Sequence, residues 1–190
     1  MLTLKKYAIG LLFALPLAAQ AAPWAIDASH ARIGFNIDHM GYSTTYGQFN
    51  AYQGTVDYDP AKPAQTKINF TIDVNSLDSS WKARDEHLLN ADFFNAAKYP
   101  TMTFVSSKYT PKGGNKATVD GNLTLLGVTK PITLEVTLNK HDVSPLTKLD
   151  TIGFKATTVI KRSQWGMTTF LPAVSDDVHI SIDAELNPAK

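Results

Sequence analysis

Residues Gly121 to Val136 read GNLTLLGVTKPITLEV. Leu123 and Leu125 alternate with Asn122 and Thr124, and the run breaks at Gly127 to Lys130. Alternation then resumes with Ile132, Leu134 and Val136 against Thr133, Glu135 and Thr137. Period-two alternation puts all the apolar side chains on one face of an extended strand. The stretch therefore predicts two strands, joined by a short turn, that share one greasy face.

Working outward, the same period recurs along the chain, and eight strands are expected: Ala31–Asp38, Tyr46–Tyr58, Lys67–Asn75, Thr101–Tyr109, Lys116–Leu126, Lys130–Lys140, Leu149–Arg162 and Val178–Asn187. Turn chemistry separates most of them, at Asp59-Pro60, Pro111 to Asn115, Gly127 to Lys130 and Ser144-Pro145. Gly54, inside the second strand, reads as a bulge or sharp bend. One segment, WKARDEHLLNADFFNAA from Trp81 to Ala97, has helical character. Ser80 is its expected cap, Asp85 and Glu86 suit the positive end of the helix dipole, and Asp92 would cap a second turn at Phe93. Pro100 ends the segment. Short links between alternating strands imply an antiparallel meander. A sheet this long must hide its edges, either as an up-and-down barrel or as a two-sheet sandwich. The long second and seventh strands favour an all-β, eight-stranded antiparallel up-and-down barrel with a short helical insertion.

The first residues stand apart. Lys5 and Lys6, the apolar run Tyr7 to Ala18 and Ala19-Gln20-Ala21 read as a signal peptide over residues 1–21. This leaves 22–190 as one β-barrel domain and predicts a periplasmic address, with full secretion as the other outcome of export. The run is too short for a membrane span. Without the two leading lysines the chain carries sixteen basic and seventeen acidic residues, in no basic block. Nucleic acid, which demands clustered Lys and Arg, is not an expected partner. No cysteine is present, so neither disulfides nor thiol chemistry enters.

The inward set includes Phe35, Ile37, Phe49, Phe70, Ile72, Phe104, Leu123, Leu134, Phe154 and Ile182, and no charge falls on it. Ions and sugars are therefore poor cargo. Alternation alone does not separate a filled core from a cavity, since eight strands is the size at which a barrel either packs solid or holds one small ligand. Gly121, Ala117, Ala156 and Ala184 are small inward residues that would leave room for a channel. A barrel built from strands of about ten residues, tilted ~40°, is on the order of 25 Å long, which suits an extended hydrocarbon. Between the last two strands lies SQWGMTTFLPA, Ser163 to Ala173. Its Trp165, Met167, Phe170 and Leu171 suggest either a greasy lip at the barrel mouth or a plug. An exposed lip would permit transient membrane contact, and Trp165 with Phe170 would equally let two copies pair as a homodimer.

Four stretches together carry a resemblance: SHARIGFNIDHMGYSTTYGQF (Ser29–Phe49), RDEHLLNADFFNAAKYP (Arg84–Pro100), GNLTLLGVTKPITL (Gly121–Leu134) and GFKATTVIKRSQWG (Gly153–Gly166). In order, and over nearly all the chain after the leader, they closely resemble the YceI-like family of exported bacterial proteins. The resemblance implies a lipocalin-like barrel with a long apolar cavity for polyisoprenoids or related amphiphiles, isoprenoid quinones included, and no established enzymatic activity. It implies no required cofactor beyond the bound isoprenoid lipid or quinone as ligand. It assigns no head-group residue.

An enzyme reading finds little to stand on. Asp85 and His87 would point to different helix faces, and neither Ser79 nor Ser80 sits in a Gly-x-Ser-x-Gly elbow. His30, His39 and His87 lack metal-ligand spacing, so no metal is expected. Arg84 is the expected head-group residue, because guanidinium binds phosphate oxygens in a fork, with His39 assisting.

Overall fold

The strands flanking the first-quoted turn pair tightly. Lys116–Leu125 and Val128–Val143 are joined by only two residues, Leu126 and Gly127, both at positive φ. Two successive left-handed residues make the turn whose twist matches that of the flanking strands. The turn is shorter than the expected Gly127 to Lys130, and the second strand starts at Val128, two residues before the expected Lys130.

A computed structural model describes residues 23–189, so the leader assigned to 1–21 lies outside the described residues. Ten strands appear in chain order: β1 Trp24–His39, β2 Ser43–Phe49, β3 Tyr52–Asp57, β4 Lys67–Asp73, β5 Leu77–Asp78, β6 Thr101–Gly113, β7 Lys116–Leu125, β8 Val128–Val143, β9 Asp150–Lys161 and β10 Val174–Pro188. They build eight staves. β2 and β3 are one stave broken at Asn50-Ala51: β1 pairs with β2 from Ile33 to His39 and with β3 at Trp24 and Ala25. The two-residue β5 continues the line of β4 beside β2. The sheet is antiparallel throughout and closes through β1 and β10, from Trp24 opposite Pro188 to His39 opposite Val174. The fold is thus a closed eight-stranded barrel with one short helix, α1, Lys82–Leu89, between β5 and β6.

Three differences from the sequence reading have physical causes. First, the break in the second stave falls at Asn50, not Gly54. A Cβ on Gly54 would lie 2.6 Å from a ring carbon of Phe70, and a Cβ on Gly121 would lie 2.4 Å from Phe104 Cζ. These glycines are seats for the aromatic rings that lie across them. Gly121 therefore admits a ring, not a channel. Second, α1 stops at Leu89 and is capped by Trp81 through its backbone, with no side-chain hydrogen bond. Ser80 takes a positive φ, and the side chain of Asn90, rather than Asp92, caps the following turn by accepting from the Asp92 amide at 2.9 Å. Third, β1 begins seven residues before its alternation becomes visible. A bulge between Asp27 and Arg32 adds residues that Asp183–Glu185 on β10 do not match, and this hides the period.

That bulge gathers charges on the outer wall. His30 Nδ1 lies 2.9 Å from Asp27 Oδ2 and 3.9 Å from Glu185 Oε2, and the Ser29 hydroxyl donates to Asp27 at 2.6 Å. Hydrogen bonds from Ser29 and His30 hold the Asp27 carboxyl at about 2, and Asp27 raises His30 above the ordinary imidazole value.

Two outcomes follow. Gly121→Ala should destabilise the barrel by about 1–3 kcal/mol through overpacking. Phe104→Leu in the same chain should recover part of that loss, read as a coupling in denaturant unfolding. Asp27 contributes stability above the ordinary carboxylate pKa of ~4, and this is lost as pH falls through about 2. The contribution of protonated His30 is present below ~6.5 and is lost as pH rises through its raised folded value. Asp27→Asn should flatten the acid limb of the stability profile and return His30 toward ~6.5 in an NMR titration.

Candidate functional site

The inward faces of the staves do not meet at the barrel axis. They enclose a cavity of about 500 Å³, within the range of pockets that hold drug-sized ligands. All ten residues expected to line an interior do so: Phe35, Ile37, Phe49, Phe70, Ile72, Phe104, Leu123, Leu134, Phe154 and Ile182. Phe35, Ile37, Phe70, Ile72, Phe154 and Ile182 point inward yet are only half-buried, because they border open space. Of the small inward residues, Ala156 alone lines the cavity.

The two ends differ. At the end away from α1 the lining residues Val56, Thr66, Ile152 and Leu186 are buried, and Tyr58 and Tyr109 complete the closure. Burial raises the Tyr109 phenol, with Tyr58 adding to the shift. Trp24 Nε1 donates to the Tyr58 carbonyl at 3.1 Å and fastens that end. At the other end, Trp81, Ala83, His87 and Phe170 are exposed and line the cavity; among the described lining residues no others are exposed. The mouth therefore lies between α1 and the β9–β10 connection.

Arg84 and His39 both line this mouth, half-buried. The Arg84 Nε donates to the Ser79 hydroxyl at 2.7 Å, an Nη2 hydrogen goes to the Ser79 carbonyl, and the guanidinium lies 5.7 Å from the Trp81 ring centroid. The Ser79 amide donates to Asp85 at 2.8 Å and its hydroxyl donates to the same carboxylate. Ser79 thus links Arg84 to Asp85 without a direct ion pair, and no histidine contacts this hydroxyl to act as a base. Sequence reasoning placed Arg84 but not Ser79, whose partners come from five and six residues further along the chain.

The expected lip divides in two. Trp165 is 2% exposed and its indole donates to the Leu123 carbonyl at 3.2 Å; like Leu171, it does not line the cavity. Trp165 is part of the core, because the 3-10 turn Arg162–Trp165 folds it under the barrel end. Met167 is buried and lines the cavity, while Phe170 is exposed and packs against His87, with ring centroids 6.0 Å apart. What fixes this connection is Arg162, which sequence reasoning did not single out as a site residue. Buried, it donates to the carbonyls of Ser175, Met167, Thr169 and Val174 at 2.8–3.0 Å. Desolvation pulls its pKa down, with Asp176 opposing.

The histidines do not assemble. His30 joins Asp27 and Glu185 on the outer wall, while His39 and His87 stand at the mouth. His87 has its own carboxylate, Asp92, at 3.6 Å.

Comparison with known proteins places this geometry. The model of the YceI-like domain matches residues 24–186. Protein YceI of Salmonella agona is 40% identical over 188 residues, covering 96% of this chain and 97% of that protein, and Protein YceI of Escherichia coli O157:H7 gives the same figures. Among solved structures, Burkholderia cenocepacia BcnA is similar at a TM-score of 0.73 and 32% identity, over 84% of this chain and 98% of that one. A polyisoprenoid binding domain from Saccharophagus degradans shares the fold at a TM-score of 0.65 and 15% identity, over 87% and 98% of the two chains.

Replacing Arg162 with Ala would remove four hydrogen bonds from a buried cation and leave their carbonyl acceptors facing apolar surroundings. A loss of roughly 3 kcal/mol or more is expected in urea unfolding. Trp165 emission should shift to the red, because the turn that buries it loses its clasp.

Proposed function

The chain belongs to the YceI-like family, and from that premise and the site's geometry we propose that it binds a polyisoprenoid or related long-chain amphiphile, isoprenoid quinones included. The apolar chain lies along the barrel and the polar end sits at the mouth. The observation that carries this reading is the apolar cavity, which runs from His39 and Arg84 at one end to Tyr109 at the other. Each methylene taken from water into such a space is worth about 0.8 kcal/mol, so a dozen approach ~10 kcal/mol before ordering costs. Micromolar affinity then needs no polar contact.

Polarity supports the orientation. Among the described residues no fully buried side-chain nitrogen or oxygen lacks a hydrogen-bond partner, and the closed end presents only the uncharged hydroxyls of Tyr58, Tyr109 and Thr66, with no cation for an anionic head. At the mouth, Arg84 Nη1 makes no protein hydrogen bond among the described residues, and His39 is beside the same opening. A guanidinium there suits an anionic or strongly accepting head. The Saccharophagus domain, whose described ligand class is polyisoprenoid, lends this reading its fold rather than its residues.

The role is holding rather than turnover. Ser79, which binds the mouth cation, donates to Asp85 and accepts from Arg84, an arrangement that orients the cation and has no histidine at the hydroxyl. Exported through the leader at 1–21, such a protein would transport, store or protect its lipid in the periplasm. A solid-core interaction module, the other reading open to the sequence, has no use for a cavity of this size.

Native mass spectrometry of the exported protein should show one co-purifying lipid, and delipidated protein should rebind a long prenol. Ile180→Trp, which places a bulky ring in the cavity from a half-buried inward position, should weaken that binding at least ~10-fold while the protein stays folded. Undiminished binding by a folded Ile180→Trp protein would remove the cavity from the argument. Arg84→Ala should weaken a diphosphate-headed prenyl lipid by roughly 5–10-fold and spare the neutral prenol.

A further inference from the structure

Large apolar side chains crowd one end of the barrel surface. Met40 and Tyr42 on the β1–β2 turn, Trp81 ahead of α1 and Phe170 on the β9–β10 connection are 48, 87, 62 and 57% exposed. Tyr46, also exposed, stands on the outer wall of β2 just below them. The three rim segments are tied together: the Met40 amide donates to the Ala173 carbonyl at 3.1 Å, and Thr169 Oγ1 donates to the Asp92 carbonyl at 2.8 Å. Single exposed apolar residues are ordinary on soluble proteins. Four of them around one opening are a different matter, because Trp81 and Phe170 are also walls of the cavity.

The chemistry of the rim selects its partner. Trp and Tyr combine an apolar ring with a polar tip and concentrate at the head-group level of bilayers. Of the charges nearby, Lys82 pairs with Glu86 on α1 and His87 lies 3.6 Å from Asp92, while Arg84 stands at the mouth as a single cation, hydrogen-bonded among the described residues only to Ser79. No basic cluster calls for an anionic leaflet or an acidic protein. The far end makes the contrast. Val143, Leu146 and Leu149 are exposed there, among Lys140, Asp142, Lys148 and Asp150, yet no exposed residue at that end lines the cavity. An apolar chain leaving the mouth into water loses about 0.8 kcal/mol per methylene. It avoids that loss only where the mouth opens directly onto an apolar phase that dissolves it.

We propose that the mouth rim is a bilayer-docking surface: Met40, Tyr42, Trp81 and Phe170 seat at the head-group level of a membrane of low net charge, and the cavity opens onto the acyl chains. Docking is peripheral: no described helix is long and apolar enough to cross a membrane, and the barrel's outer wall exposes Asn69, Asp73, Glu135, His179 and Asp183, which the core of a bilayer excludes. The proposal rests on the lipid-carrier reading for the cargo but not for the docking.

The test uses the full mature chain and phosphatidylcholine vesicles. Wild-type protein should co-sediment with the vesicles, nearly independently of salt, and brominated acyl chains should quench its tryptophan emission. Trp81→Phe should still co-sediment but lose most of the quenching, because Trp24 and Trp165 are buried. The double variant Met40→Ser, Tyr42→Ser touches no cavity wall. It should cut vesicle partitioning and the rate of prenol transfer from vesicles by roughly tenfold, with unchanged equilibrium affinity for prenol delivered from detergent. Leu146→Ser at the far end should change neither quantity. Absence of wild-type co-sedimentation overturns the proposal, as does an unaltered transfer rate in the double variant. A wild-type dimer in sedimentation that the double variant splits also overturns it, by making the rim a contact between copies. If the wild-type chain binds no detergent-delivered prenol at all, the carrier reading falls, while vesicle partitioning still decides the docking surface on its own.

Discussion

The structure depends on the pairing of β1 with β10. These strands stand at opposite ends of the described chain and run side by side from Trp24 and Pro188 up to His39 and Val174. Without that seam the sheet would be an open ribbon with two long edges and a greasy face exposed to water. With it, the last edges vanish and the alternation along every strand acquires one meaning: inward residues face each other across an axis. Closure also sets the diameter. Eight tilted staves leave an interior that side chains either fill or nearly fill, and here the choice of residues leaves space.

That space is shaped by where the large side chains are parked. Phe70 and Phe104 are set against glycines of neighbouring strands, in space that a side chain at Gly54 or Gly121 would fill. Trp165, the largest of the fully buried side chains, is folded beneath the barrel end by the Arg162 turn, and Trp24 is fastened at the far end to the Tyr58 carbonyl. The aromatic bulk that would plug the centre is displaced to the walls and ends. Ile180, Ile182 and Val178 are left bordering the middle, half-buried.

Much of this was legible because strand alternation is a local signal. The inward identity of Phe35, Phe70, Leu134 and Ile182 follows from period two alone, and all four line the cavity. The failures are equally physical. The beginning of β1 was invisible because the Asp27–Arg32 bulge breaks the period. The fate of Trp165 depended on Leu123, forty-two residues away, whose carbonyl takes its indole hydrogen. Gly54 and Gly121 carry no side chain to announce that a phenylalanine from another strand rests on them. Arg162 received no role from the sequence, since nothing local shows that four carbonyls from a later segment will converge on it.

The two walls of the mouth are held very differently, and this bears on how a long chain passes between them. The β9–β10 connection is gripped by a buried guanidinium through four hydrogen bonds and anchored by a buried tryptophan. Moving it would strand a cation and several carbonyls away from water, at a cost of several kcal/mol. The helix α1 has no buried residue of its own, and eight residues are too few to be stable as an isolated helix. It is held near its start by Arg84 and Asp85, both half-buried, which bond to the buried Ser79. Elements with few buried contacts open first. Widening of the mouth is therefore cheapest on the α1 side, where Arg84, Ala83 and His87 form the wall, and the clasped connection serves as the fixed side against which that movement occurs.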